Sequence, residues 1–165
     1  MKRKAVYAGS FDPITNGHVD IVRRGFGVFD QIVVAVAHNP AKDTSLFSAA
    51  ERVTMIRQAL ADLGERVVVD TFTGLLVQYC DHVHATAIIR GLRAVSDFEY
   101  EFQMAMMNRH LNAGVETYFM TASEAYFYTA SRLVKEVASL GGDVSALVPP
   151  VVHRALVDRF RAPAR

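Results

Sequence analysis

Gly9-Ser10-Phe11-Asp12-Pro13-Ile14-Thr15-Asn16-Gly17-His18 joins a short apolar segment, Ala5-Val6-Tyr7-Ala8, to a run with helical spacing. That run begins near His18 and passes through Ile21, Val22 and Phe26 to about Phe29. A buried strand closed by Gly9, a polar loop and a helix form the opening unit of an α/β fold. The loop lacks the Gly-x-Gly-x-x-Gly of dinucleotide binders and the Gly-Lys-Ser/Thr of a P-loop, so neither of those phosphate cradles is present. Gly9 permits close approach of backbone, and Gly17 lets a ligand or a chain segment pack near the helix start. His18 then stands at a helix N-terminus, where free N–H groups and the macrodipole favour an anion.

The same alternation continues outward from this unit. Ile32 to Ala37 is a continuous apolar run, the pattern of a strand covered on both faces. Ser48-Ala49-Ala50-Glu51 is a capping-box pattern that opens a helix to about Leu63. Arg66 to Phe72 reads as a third strand, and Leu75 to Val83 as a helix. Thr86 to Ile89 is a fourth strand ending at Arg90-Gly91. Ser96-Asp97-Phe98-Glu99 is a second capping-box pattern, starting a helix to about Leu111. Glu116 to Met120 is a fifth strand, Ser131 to Leu140 a helix closed by Gly141-Gly142, and 150–160 a last helix after Pro149-Pro150. Five strands each followed by a helix imply right-handed crossovers and a Rossmann-like, doubly wound α/β sheet of five parallel strands, with helices on both faces. Residues 1–165 read as one domain. Ligands of such sheets bind beyond the carboxyl ends of the strands, which directs attention to loops 8–18, 38–47, 72–76, 90–96 and 120–131.

Composition narrows the classes. The 165 residues are 51% hydrophobic and 21% charged, which excludes a disordered chain. No apolar run is long enough to span a bilayer, and Gly9 to Pro13 interrupts the basic start before a signal-peptide core can form. The single cysteine, Cys80, cannot form an internal disulfide, so a reducing, cytoplasmic setting is expected. Lys and Arg total 18 against 17 acids, and a net charge of +1 argues against a nucleic-acid-coating surface. His82-Val83-His84 has no Cys or carboxylate partner pattern, so no metal site fixed by protein side chains is expected. Cys80 reads as a buried helix thiol, and Met104-Ala105-Met106-Met107 as a packing face.

Gly-x-Phe-Asp-Pro-x-x-x-Gly-His resembles the signature of the nucleotidyltransferase superfamily marked by a Thr/His-x-Gly-His motif, here Thr15-Asn16-Gly17-His18. Arg90-Gly91-Leu92-Arg93 presents two guanidinium groups about a glycine, a pattern suited to a polyanion. Continued through Ala94-Val95-Ser96-Asp97-Phe98-Glu99-Tyr100-Glu101, Gln103 and Met107-Asn108-Arg109-His110, it closely resembles the phosphopantetheine adenylyltransferase branch. Leu133 to Ala138 and Gly142-Asp143-Val144 do likewise, and the likeness covers essentially residues 4 to 157. The resemblance implies transfer of AMP from ATP to 4′-phosphopantetheine, with Mg²⁺, homohexameric assembly, and coenzyme A as feedback inhibitor.

It also implies roles, residue by residue. His18, Lys42 and Arg93 are the catalytic candidates: His18 bonds the α-phosphate, Lys42 bridges developing charge, and Arg93 holds the triphosphate. Ser10 and Phe11 match positions holding the two substrates. Lys42, Leu76 and Arg90 match the pantetheine side, and Gly91, Leu92, Arg93 and Glu101 the nucleotide side. The last nucleotide segment departs from the family's usual aromatic-Ile-Ser-Ser-Ser/Thr: it is Tyr126-Phe127-Tyr128-Thr129-Ala130-Ser131-Arg132. Ser131 keeps a hydroxyl at the helix start, and Arg132 either replaces a hydroxyl with charge or faces solvent. Two rivals stand beside this reading: an adenylyl or cytidylyl transferase with another acceptor, such as nicotinamide mononucleotide, and a non-catalytic nucleotide-binding protein.

Overall fold

The computed structural model describes residues 2–39, 44–127 and 129–161, with backbone alone at 95–96. Five strands form one sheet in the order β3-β2-β1-β4-β5. They are β1 (Lys4–Gly9), β2 (Gln31–Ala37), β3 (Val67–Phe72), β4 (Ala87–Leu92) and β5 (Glu116–Thr121). Every neighbouring pair is parallel. The helices are α1 (Asn16–Gly25), α2 (Ala49–Ala59), α3 (Leu76–His82), α4 (Val95–Leu111), α5 (Ser131–Ser139) and α6 (Pro150–Phe160). Pro150 occupies the first turn of α6, where a missing N–H costs nothing.

The period-2 alternation of the strands sorts the core onto two faces. Tyr7, Val34, Val36 and Ile89 meet Ile21 and Val22 of α1, Met55 and Ile56 of α2, Val134 of α5, and Val152 and Leu156 of α6. Val6, Ala8, Val33, Ala35 and Ile88 meet Val77, Tyr79 and Cys80 of α3. Each buried Val, Ile or Met contributes about 1.5–3 kcal/mol relative to exposure, so both layers are needed to hold the central strands. Cys80 is fully buried there, and burial pushes its thiol up to about 12.

Three details differ from the sequence reading. Helix α1 ends at Gly25 rather than Phe29, and glycine fits at that end because a Cβ there would stand 2.8 Å from Ile32 Cδ1. Strand β4 runs to Leu92, so Arg90, Gly91 and Leu92 belong to a strand and not to a loop. Helix α4 starts earlier than a cap at Ser96 would place it: it begins at Val95 after Ala94, which makes no side-chain cap bond, and Asp97 in its first turn accepts from Arg93. The methionine face of α4 is not part of this chain's core. Among the described side chains of α4 none is buried, and Phe98, Tyr100, Phe102, Met104, Met106, Met107 and Leu111 are 41–64% exposed.

Candidate active site

Sheet order reverses between β1 and β4, since the chain leaves β1 toward β2 on one side and β4 toward β5 on the other. The carboxyl ends of two such strands part and leave a crevice. A cavity of ≈ 670 Å³ opens at that point.

The first loop supplies its floor. Thr15 caps α1 by accepting the His18 amide, and the Thr15 amide in turn donates to His18 Nδ1 at 3.0 Å. This is a capping box with histidine in the place of the usual Glu or Gln. Because a backbone N–H can only donate, Nδ1 is an acceptor, and the ring proton of the neutral imidazole resides on Nε2. Burial, then Arg93 and Arg90, hold the His18 pKa down to about 4, so the ring is neutral at pH 7. The cavity therefore receives an oriented Nε2–H donor. Gly17 lies against the segment closing the cavity, its Cβ position 3.4 Å from Tyr126 Cβ. Phe11, with φ of 45° in the left-handed region, packs edge-on to His18 at 5.1 Å between ring centroids and buries its ring beneath the loop. Strain of this kind survives only where neighbours over-determine it.

Those neighbours are Asp12, Arg52 and Ser131. Asp12, 4% exposed, accepts the amides of Leu46 and Phe47 at 2.9 and 3.0 Å and the Lys135 ammonium at 2.6 Å. Arg52, 1% exposed, donates to the carbonyl of Ser10 at 2.9 Å. Ser131 donates its hydroxyl to the Pro13 carbonyl at 2.8 Å. The loop is thus fastened to α2, to α5 and to the segment before α2. Sequence reading missed Asp12 and Arg52 as fasteners. Asp12 lay within the quoted signature, whereas Arg52 reads as an ordinary helix residue one turn after Ser48.

Strand β4 divides the site. Alternation sends Ile89 and Gly91 toward α1, where the Gly91 Cβ position lies 3.5 Å from Ile21, and turns Arg90 toward α4. Arg90 donates to both carboxylate oxygens of Glu101 at 2.7 and 2.6 Å and to the Ala8 carbonyl at 2.7 Å. Its fork is therefore locked in orientation before any ligand arrives. Arg93 is more open, with one contact to Asp97 at 3.3 Å. Both carboxylates lining the cavity, Asp97 and Glu101, are thus engaged by arginines.

On the far wall, Ala130 precedes α5 without a side-chain cap, so the first amides of that helix are available to an anion. Of the residues anticipated from sequence, Ser10, Phe11, His18, Arg90, Gly91, Arg93 and Glu101 line the cavity, as do Tyr126, Thr129, Ala130, Ser131 and Arg132. Leu92 and Phe127 instead line an adjoining apolar hollow, and Leu76 borders a smaller one beside Arg90 and Glu101. Ser131 spends its hydroxyl proton on the loop, leaving its amide and lone pairs for a ligand. Lys42 and Tyr128 lie outside the described residues. Among the described residues no group of three His, Cys, Asp or Glu side chains could hold a metal ion, and no helix is long and apolar enough to cross a membrane.

Comparison with known proteins agrees with this geometry. The cytidylyltransferase-like family pattern matches residues 6–137. A phosphopantetheine adenylyltransferase of Geobacter metallireducens is 59% identical, covering 99% of both chains, and one of Geobacter sulfurreducens is 57% identical over 98% of this chain and 97% of its own. A third, from Nocardioides, is 55% identical over 96% of this chain and 98% of its own. A solved structure described as a nicotinate-nucleotide adenylyltransferase from Vibrio parahaemolyticus shares the fold, with a TM-score of 0.70 at 16% identity over 95% of this chain and 99% of that one. With its signature loop, its arginine strand and full-length relatives of this identity, the chain belongs to the phosphopantetheine adenylyltransferase family.

Proposed function

We propose that the protein transfers AMP from ATP to 4′-phosphopantetheine, giving dephospho-coenzyme A and pyrophosphate in coenzyme A biosynthesis. The observation that carries this reading is a cavity at the sheet's reversal point furnished with donors: His18 Nε2–H, Arg93 and the first amides of α5. Among the described residues its two carboxylates are held by arginines, and neither is left to act as a base. The chemistry demands no base. The acceptor is a phosphate monoester whose second pKa is about 6, so its oxygen is already anionic at pH 7. That oxygen attacks the α-phosphorus in line as the bond to the β-phosphate oxygen breaks, and pyrophosphate leaves with the electron pair.

Rate then depends on aligning two anions and stabilising the charge they gather. His18 Nε2–H bonds the α-phosphate, Arg93 and the α5 amides hold the leaving phosphates, and Lys42 bridges developing charge. Arg90, fixed by Glu101, meets the acceptor from the α4 side, with Leu76 as an apolar wall. Mg²⁺ brought in with ATP would screen the charge of the phosphates. Coenzyme A, which carries both halves of the product, competes for the same cavity. A homohexamer in the cytoplasm completes the proposal. The exposed apolar residues of α4 support association between copies: Tyr100, Met104, Met107 and Leu111 recur at helical spacing as one stripe, and single scattered exposures need no explanation but a stripe does.

Pyrophosphate release from Mg·ATP, run in parallel with 4′-phosphopantetheine, pantetheine and nicotinamide mononucleotide, tests the reading. Release only with phosphopantetheine is expected. Release with nicotinamide mononucleotide would keep the fold and His18 but discard the acceptor; ATP binding without release would leave a nucleotide-binding protein.

A further inference from the structure

One buried hydroxyl at the site has no use in the scheme above. Tyr7 lies on β1 and is 5% exposed, with its ring edge-on to Phe11 at 5.3 Å and tilted toward His18 at 6.3 Å. It pairs in register with Ile89, yet its hydroxyl lies 3.7 Å from the Cβ position of Gly91, two residues further along β4. The side chain therefore leans toward the carboxyl ends of the strands, and Gly91 leaves the space above it open. Tyr7 lines the main cavity on the same face as His18 and Ile21. Among the described residues its hydroxyl has no protein partner, and it reaches the cavity instead of being sealed in the core.

A buried phenol ordinarily finds a partner, because an unmade hydrogen bond in a low-dielectric site is costly. Here the ring is sealed by Phe11 and the sheet while the O–H ends in a cavity built for anions. Burial raises the phenol's pKa far above its ordinary value, outweighing the lowering effect of Arg90 and Arg93. At neutral pH the group is thus a neutral donor. It adds no charge to repel phosphate, and it cannot serve as a base.

We propose that the Tyr7 hydroxyl donates a hydrogen bond to a phosphate oxygen of the bound nucleotide, beside His18 Nε2–H and above Gly91. This assignment rests on the adenylyl-transfer reading for its place in turnover, but the contact itself is a matter of phosphate binding. It makes Tyr7 a substrate-contacting residue and gives Gly91 a reason to be glycine, since a side chain there would cover the hydroxyl.

The test is Tyr7→Phe, which keeps the ring and removes only the oxygen. Calorimetric affinity for α,β-methylene-ATP should fall roughly tenfold to a hundredfold, the range for a hydrogen bond to a charged group. Affinity for adenosine, which has no phosphate, should stay within twofold, and kcat/KM for pyrophosphate release should fall with the analogue's affinity or more. Thermal unfolding of both proteins identifies any loss from misfolding, and Gly91→Ala supplies a second variant, with the same phosphate-selective loss expected. Analogue affinity within twofold of wild type in folded Tyr7→Phe would overturn the proposal, as would an equal loss for adenosine. If wild type released no pyrophosphate with phosphopantetheine, the reaction would be misassigned, while the difference between analogue and adenosine would still decide the contact.

Discussion

The Asp12 carboxylate stands 2.6 Å from the Lys135 ammonium, joining the first loop to α5 across 123 residues of chain. The same carboxylate accepts the Leu46 and Phe47 amides, so one buried acid fixes three pieces of the site: the first loop, the segment before α2, and the helix whose N-terminus faces the cavity. Position along the sequence gives no hint of this meeting. It follows from the sheet order, which brings the ends of β1 and β2 side by side with α5 above them.

Asp12→Asn is expected to destabilise the fold by about 1–3 kcal/mol, because amide and ammonium donors lose a charged acceptor in a buried place. Denaturant unfolding reads the change as a lower midpoint at unchanged slope. An unaltered midpoint would mean that the loop is held elsewhere.

His18 should not titrate in the usual histidine range. Its folded pKa lies near 4 against an ordinary 6.5, so between those values the unfolded chain binds a proton that the folded chain withholds. This group's effect on stability is therefore fully retained above about pH 6.5, declines as pH falls toward 4, and levels off below. Imidazole chemical shifts should show a neutral ring protonated on Nε2 down to about pH 5. Wild type should also lose stability relative to His18→Gln over the same window. A midpoint near 6.5 in the shifts would remove the buried, neutral donor from the account.

Glu101 matches the family's nucleotide side, yet its carboxylate is spent on Arg90. Glu101→Gln leaves one acceptor oxygen for a fork built for two. The KM for phosphopantetheine should rise about tenfold, equivalent to about 1.4 kcal/mol, with the KM for ATP within twofold. A selective rise in the KM for ATP would return Glu101 to the nucleotide.

The parallel sheet and most helices were legible because alternation, capping patterns and apolar runs are local signals. The box at Ser48 is one that forms as written, with Ser48 N–H donating to Glu51 at 2.7 Å. The start expected from Ser96 is displaced, since β4 extends to Leu92 and the helix begins at Val95, two residues before the Asp97 that a cap at Ser96 implies. His18 was legible from the signature, but its tautomer was not, because that depends on a bond to the Thr15 amide. Arg52 and Tyr7 escaped notice for a related reason. A buried arginine and an unpartnered phenol look, in sequence, like a helix surface residue and a strand core residue. The exposed side of α4 was half legible: its residue types mark packing, and only the three-dimensional structure shows that the described residues leave Tyr100, Met104, Met107 and Leu111 exposed.

The central claim is that a neutral, oriented His18 stabilises the α-phosphate during transfer. The measurement that tests it most directly is kcat for His18→Ala at saturating Mg·ATP and phosphopantetheine, with ATP-analogue affinity determined on the same preparation. The account predicts a fall in kcat of about 10²–10³, or about 2.7–4 kcal/mol of barrier, with a much smaller change in affinity. Turnover within a few-fold of wild type, in a variant that still folds and binds, would contradict it.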